Sequence, residues 1–264
     1  MKYFAIFGDP VEHSISPLMH NYLFLHSNIK ACYSRVHLKN GANLKEMLVK
    51  LKLKGANVTV PHKEDAYLAC DEIRGFAKIA GVVNTIIYED GKLIGYNTDA
   101  DGFVSALQEF EGIEKALIIG AGGTAKALAH RLIDEGINIT ILNRSKDRLQ
   151  YFKKHGIACY NWDEFNVCKT DLVVNTTSAG LSDENLPAPK ELLEKILAQT
   201  SYVSDIIYGK TTPFLKLVAQ KKIPYKDGLD MLVHQGALAS YLFCDKTIPV
   251  DKITNLLKKA VLLK

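Results

Sequence analysis

The sequence predicts an α/β protein of two domains, and three observations carry that prediction. Its 264 residues exceed what one small domain needs, at ~100–200 residues per domain. Short apolar runs alternate with stretches of helical spacing, the pattern of βαβ units on a parallel sheet. The character also changes near residue 116. There Ala116-Leu117-Ile118-Ile119 is a continuous apolar run, the mark of a strand covered on both faces, and it leads straight into a glycine-rich turn.

Taken in order, Tyr3 to Phe7 is a short apolar strand closed by Gly8-Asp9-Pro10. Asn43 precedes Leu44, Met47, Leu48 and Leu51, the spacing of a helix with one buried face. Glu46 stands three residues after Asn43 as in a capping box, and Gly55 is the expected stop. Ala56 to Val60 then reads as a strand ending at Pro61. Val82 to Tyr88 and Leu93 to Tyr96 flank Glu89-Asp90-Gly91-Lys92, a hairpin signal. After the run at Ala116 a helix is expected to Ile133, with further strands at Asn138–Leu142, Asp171–Val174 and Tyr202–Ile207. The tail from Asp230 is helical. Residues 1–100 and 230–264 are assigned to one domain, and 101–229 to the other.

The strongest generic motif is Gly120-x-Gly122-x-x-Ala125, between a buried strand and a helix. Small residues there allow a tight turn and let backbone N–H groups approach a pyrophosphate at the positive end of the helix. An NAD-preferring site usually carries Asp or Glu after the second strand. Here the strand ends in Asn143-Arg144-Ser145-Lys146-Asp147-Arg148, whose cations suit a 2′-phosphate, so NADP(H) is expected. In the first hundred residues hydroxyl, amide, ammonium and carboxylate groups gather near strand ends: Ser14, Ser16, Asn57, Thr59, Lys63, Asn84, Thr85, Asn97, Thr98 and Asp99. Such a set suits a polyhydroxylated substrate. The plainer reading of Ser14 or Ser16, and of Asp99, is helix capping.

The strings Gly8-x-Pro10-x-x-His13-Ser14-x-Ser16-Pro17-x-x-His20-Asn21, Asn57-Val58-Thr59-Val60-Pro61-His62-Lys63, Gly81-Val82-Val83-Asn84-Thr85 and Gly95-x-Asn97-Thr98-Asp99-x-x-Gly102 resemble the shikimate dehydrogenase family. Gly120-Ala121-Gly122-Gly123, Asn143-Arg144, Asn175-Thr176-Thr177-Ser178-x-Gly180 and Asp227-Gly228-x-x-Met231-Leu232-x-x-Gln235 follow in the same order. The resemblance implies a reversible NADPH-dependent reduction of 3-dehydroshikimate to shikimate in aromatic amino-acid biosynthesis. It implies an N-terminal α/β substrate domain completed by C-terminal helices, with an inserted Rossmann-type dinucleotide-binding domain. By the same resemblance Lys63 is the catalytic lysine, with Asp99 beside it. Ser14, Ser16, Thr59, Asn84, Asp99, Tyr208 and Gln235 match substrate positions. Gly120, Ala121, Gly122, Gly123, Thr124, Asn143, Arg144, Ser145, Lys146, Arg148, Ile206 and Gly228 match cofactor contacts. The segment after Tyr208 departs from the family, being one residue shorter and lacking a proline. His62 stands where an aromatic is frequent.

Composition narrows the alternatives. Hydrophobic residues make up 47% and charged residues 23%, close to the soluble globular average. The excess of 33 basic over 29 acidic residues has no basic block, which argues against a nucleic-acid or membrane-surface partner. Five scattered cysteines without a CxxC suggest neither zinc site nor disulfide framework, and a cytoplasmic setting is expected. The partner is then a small molecule. A homodimer is compatible with the sequence and not specified by it. Rival readings are a quinate/shikimate dehydrogenase with relaxed substrate or cofactor choice, and a non-catalytic NADP(H)-binding regulator. An intact Lys63–Asp99 pair separates the last from an enzyme.

Overall fold

A computed structural model describes residues 1–263 and divides into two units. One comprises residues 1–102 with the C-terminal segment from Leu232, the other residues 103–231. The first unit begins with β1 (Lys2–Gly8), α1 (Ser16–His26), β2 (Ala31–His37), α2 (Leu44–Lys50), β3 (Gly55–Val58) and α3 (Lys63–Ala69). It continues with β4 (Glu72–Ile73), α4 (Ala77–Ala80), β5 (Thr85–Glu89) and β6 (Lys92–Tyr96), and α5 (Asp99–Ala106) spans the boundary at residue 102. In the second unit follow β7 (Lys115–Ile119), α6 (Gly123–Asp134), β8 (Asn138–Asn143), α7 (Gln150–Lys154), β9 (Ala158–Asn161) and β10 (Thr170–Asn175). Next come α8 (Lys190–Leu197), β11 (Thr200–Asp205), α9 (Pro213–Gln220) and β12 (Tyr225–Lys226). The chain ends with α10 (Leu229–Phe243) and α11 (Val250–Val261).

The first sheet has the order β2-β1-β3-β5-β6-β4. β1 runs parallel to β2 and β3, while β5 is antiparallel to both β3 and β6. The register sets Phe7 beside Val58, Asn57 beside Thr85, and Thr85 beside Tyr96. The last residues of β1, β3 and β6 and the first of β5 therefore share one edge of the sheet. Alternate residues of β1 feed two cores. Ala5 and Phe7 pack with Leu44, Leu48, Val83 and Ile86, whereas Phe4 meets Phe24 and Phe243 with ring centroids 5.7 and 4.6 Å away. Burying each such large side chain is worth about 1.5–3 kcal/mol.

Two local expectations give way. Asn43 makes no side-chain cap of α2; Asn40 does the capping one turn earlier, accepting from Ala42 N across a short 3₁₀ turn. Gly55 does not stop the helix, which closes at Leu51 and the left-handed Lys52 (φ +54°). Gly55 instead opens β3, where a Cβ would lie 2.6 Å from the Ile86 carbonyl oxygen. The hairpin is tight: only Asp90 and Gly91, both at positive φ, join β5 to β6.

His20 on α1 is fully buried, stacked on Tyr33 at 4.2 Å and bonded through Nδ1 to Ser240 Oγ at 2.8 Å. Burial pushes its imidazole down to about 3, so it is neutral in the fold. The unfolded chain takes up a proton below its ordinary value near 6.5, and the fold refuses that proton. This contribution to stability is complete above that value and is lost as pH falls toward 3, at roughly 1.4 kcal/mol per pH unit. A His20→Gln variant is expected to show a flatter loss of Tm between pH 6 and pH 4 than the unmodified protein, read by thermal melts across that range.

The second unit's six strands are all parallel, in the order β9-β8-β7-β10-β11-β12. Its first strand is thus central, and the direction of winding reverses between β7 and β10. That is the doubly wound dinucleotide-binding order, in which ligands sit beyond the carboxyl ends of the strands at the reversal. Leu117, Ile119, Val173 and Val203 pack there with Leu193, Ile196 and Phe214 of the covering helices.

Among the described residues no helix is long and apolar enough to cross a membrane, and no group of His, Cys, Asp or Glu is placed to hold a metal ion.

Candidate active site

Lys63 is the first residue of α3, two residues beyond Pro61 and the turn that His62 N closes onto Thr59 O at 3.0 Å. Its Nζ lies 2.5 Å from Asp99 Oδ2, and the two side chains are only 12% and 10% exposed. Asp99 is free for this pairing because Asn97 caps α5 in its place. Asn97 Oδ1 accepts from the N–H groups of Asp99 (3.1 Å) and Ala100 (3.3 Å). His62 serves packing: its ring nitrogens face Leu38 O at 2.5 Å and Asp65 Oδ2 at 3.1 Å, which ties the start of α3 to the segment after β2.

Ser14 and Ser16 follow β1 and are buried. Ser16 is the first residue of α1, and its N-cap position, Ile15, makes no side-chain bond. Ser14 Oγ accepts from Ser16 N at 3.3 Å, and Arg35 grips the Ser14 carbonyl with Nε at 2.9 Å and Nη2 at 2.6 Å. The turn is thereby fixed while the Ser16 hydroxyl has no hydrogen bond among the described residues. Thr59 continues from β3, its N–H on Phe7 O at 2.8 Å. Asn84 immediately precedes β5 and is 2% exposed. By the register these residues and the Lys63–Asp99 pair all belong to one sheet edge.

Gln235 comes from α10 and reaches the same edge through Thr98, whose Oγ1 lies 3.5 Å from Gln235 Oε1. Close approach here depends on Gly102. A Cβ on it would fall 2.5 Å from Gln235 N and 2.8 Å from its Cα, both backbone. Gly102→Ala is expected to cost about 1–3 kcal/mol and to raise substrate KM by displacing Gln235; melts and initial rates check it.

In the second unit Gly120 has φ +115°, and a Cβ on it would meet Thr176 Oγ1 at 2.5 Å. That threonine is pinned by its N–H and hydroxyl to Ile119 O, at 2.9 and 2.8 Å, across the β7–β10 reversal. Ala121 is buried; Gly122 precedes α6 and faces open space, so a ligand can come up to the backbone there. Gly123 and Thr124 open α6, and its first turn holds no acidic residue. These features fit a pyrophosphate. After β8, Asn143 Nδ2 donates to Ser145 O at 2.9 Å, and Lys146 pairs with Glu164 at 2.5 Å. Arg144 and Arg148 are exposed and without a carboxylate partner among the described residues.

Ile206, Tyr208 and Gly228 also lie in the second unit. Gly228 N donates to Ile207 O at 3.1 Å, and a Cβ on Gly228 would sit 2.0 Å from Ile206 O. The shortened segment after Tyr208 turns at Gly209 (φ +80°), and Thr212 caps α9 by accepting from Leu215 N. Beneath it Asp205 is fully buried, accepting from Asn175 Nδ2 (3.0 Å), Ile207 N (3.1 Å) and the Thr212 hydroxyl (2.7 Å). Burial outweighs these donors and pushes Asp205 up to about 6.

Tyr33, hydrogen-bonded to Asn57, was not singled out by the sequence, while Thr98, which accepts from Asn84 Nδ2, was read only as one of the polar groups near strand ends. Thr98 was legible as part of Asn97-Thr98-Asp99. Tyr33 carried no local signal.

Residues 6–86 match the shikimate dehydrogenase substrate binding domain, 105–200 the family described as shikimate / quinate 5-dehydrogenase, and 228–258 the shikimate 5′-dehydrogenase C-terminal domain. The chain is 45% identical over 246 residues to the NADP(+) shikimate dehydrogenase of Helicobacter hepaticus, covering 92% of this chain and 91% of that protein. The shikimate dehydrogenase structure from Aquifex aeolicus superposes with a TM-score of 0.87 at 33% identity, over 99% and 97% of the two chains. A Thermus thermophilus shikimate 5-dehydrogenase in complex with NADP(H) and shikimate gives 0.83 at 31% identity, over 98% and 100%.

Proposed function

The chain belongs to the shikimate dehydrogenase family, and from that premise we propose how its residues divide the work of the reaction. It interconverts 3-dehydroshikimate and shikimate with NADP(H), a step of the shikimate pathway. The unit holding residues 1–102 and the C-terminal helices takes the substrate, and the 103–231 unit takes the cofactor. The observation that carries the assignment is the nearly enclosed Lys63–Asp99 pair, 2.5 Å apart, on the sheet edge that also holds Ser14, Thr59 and Asn84.

The dinucleotide, held by Gly120 to Thr124, Asn143 to Arg148, Ile206 and Gly228, supplies the hydride chemistry when bound. The protein's part is to orient the carbon and manage the proton. In reduction the Lys63 ammonium gives its proton to the oxygen of the carbonyl being reduced, and the resulting amine recovers one from solvent. Asp99 holds the ammonium in place and accepts from a neighbouring substrate hydroxyl. Ser14 and Ser16 take the substrate carboxylate. Thr59, Asn84 and Gln235 take its hydroxyls.

Five dispersed free thiols fit a reducing, cytoplasmic setting. The test is nicotinamide absorbance with shikimate or quinate crossed against NADP⁺ or NAD⁺. Turnover is expected chiefly with shikimate and NADP⁺. A faster rate with quinate or NAD⁺ overturns the corresponding half of the reading.

A further inference from the structure

Behind Asn84 and Gln235 runs a chain of buried polar groups whose donor directions are fixed by hydrogen count. The Tyr33 hydroxyl donates to Asn57 Oδ1 at 2.6 Å, since a carbonyl oxygen can only accept. Asn57 Nδ2 donates to Asn84 O at 3.3 Å and Thr85 Oγ1 at 3.0 Å, using both its hydrogens. Thr85 therefore accepts, and its one hydroxyl hydrogen goes to Asn84 Oδ1 at 3.0 Å rather than to the more distant Thr98 Oγ1 at 3.3 Å. Asn84 Oδ1 also receives Thr98 N at 2.8 Å, which fills its two lone pairs. Asn84 Nδ2 in turn donates to Thr98 Oγ1 at 3.0 Å. The Thr98 hydroxyl hydrogen, displaced from Asn84 Oδ1, is left for Gln235 Oε1 at 3.5 Å, while Gln235 Nε2 donates to Leu232 O at 2.9 Å.

The network leaves one N–H on Asn84 and one on Gln235 without a partner among the described residues. We infer that Thr85, with Asn57 and Tyr33 behind it, is a positioning residue that commits the Gln235 amide to present an N–H group to the substrate beside that of Asn84. This rests on the substrate assignment of Asn84 and Gln235 made above. Two amides locked as donors, beside the Lys63 ammonium, recognise ring oxygens through their lone pairs. Asp99 is then the charged acceptor for a ring hydroxyl. Thr85 acts at a distance: without its hydroxyl, the Thr98 hydrogen can return to Asn84 Oδ1, 3.3 Å away, and the Gln235 amide is free to turn over.

The experiment is a double-mutant cycle in shikimate oxidation by the full chain, with melts to confirm folding. The unmodified protein is assayed first; no shikimate turnover at that point refutes the functional reading itself, separately from this inference. Thr85→Val is expected to raise shikimate KM about tenfold, with kcat changed less than threefold and the NADP⁺ KM unmoved. Thr85→Ser is expected to restore KM. In a Gln235→Ala background the Thr85→Val effect should largely disappear, because coupled residues are non-additive. If Thr85→Val does not fold, Thr85→Ala carries the same comparison. An unchanged KM, or the same increase with and without Gln235, overturns the inference.

Discussion

Lys63→Ala is expected to lower kcat by ~10²–10⁴-fold while shikimate KM moves by only a few-fold. The size follows from what is removed, a proton donor for an oxygen that becomes an alkoxide. Binding is affected less because carboxylate and hydroxyl contacts are assigned to other side chains. Part of the effect falls on stability. The pair is 12% and 10% exposed, so the variant leaves the Asp99 carboxylate nearly enclosed without its cation, a loss worth about 3–5 kcal/mol for a buried pair. Melting curves of Lys63→Ala are therefore needed beside its kinetics. Rates must be compared at a temperature where both proteins are folded.

The second large effect concerns the choice of dinucleotide. Among the described residues Arg144 and Arg148 have no carboxylate partner, while Lys146 is committed to Glu164. Each charge-assisted bond to a phosphate is worth about 1.5–3 kcal/mol. Replacing both arginines by Ala should lower kcat/KM for NADP⁺ by about 10²-fold or more and leave NAD⁺ nearly unchanged. Lys146→Ala should do much less. The ratio of kcat/KM for the two cofactors is the quantity to measure. An equal loss with both cofactors would mean the arginines act on the shared part of the dinucleotide.

The second unit was the more legible from sequence, because its central strand is buried on both faces and its turn needs glycine. Ala116 to Ile119 shows both as an unbroken apolar run leading into Gly120. Edge strands gave no such signal. Only Tyr33 is buried among the seven residues of β2, so no alternation marks it, and β9 has only four residues. Capping is hard to assign from sequence where two polar residues compete, as at Asn43, where the reading gave way, and at Asp99, where capping was only the plainer alternative. Asn40 rather than Asn43 caps the turn before α2, and Asn97 rather than Asp99 caps α5. Sequence alone cannot rank such neighbours, because the choice depends on which backbone N–H groups the loop geometry presents. The second case bears on function, since a capping Asp99 would have its carboxylate occupied. Thr85 and Asn57 were legible only as members of the polar set near strand ends. Their importance comes from pairing across β3 and β5, which depends on register and not on local pattern.

The claim that Lys63 moves the proton is tested most directly by adding alkylamines of graded basicity to Lys63→Ala and measuring shikimate oxidation. Turnover should return in proportion to amine concentration and vary systematically with amine basicity, with no such gain for the unmodified protein. A Lys63→Ala variant that turns over at the unmodified rate without any amine would contradict the claim, as would a rescue indifferent to basicity.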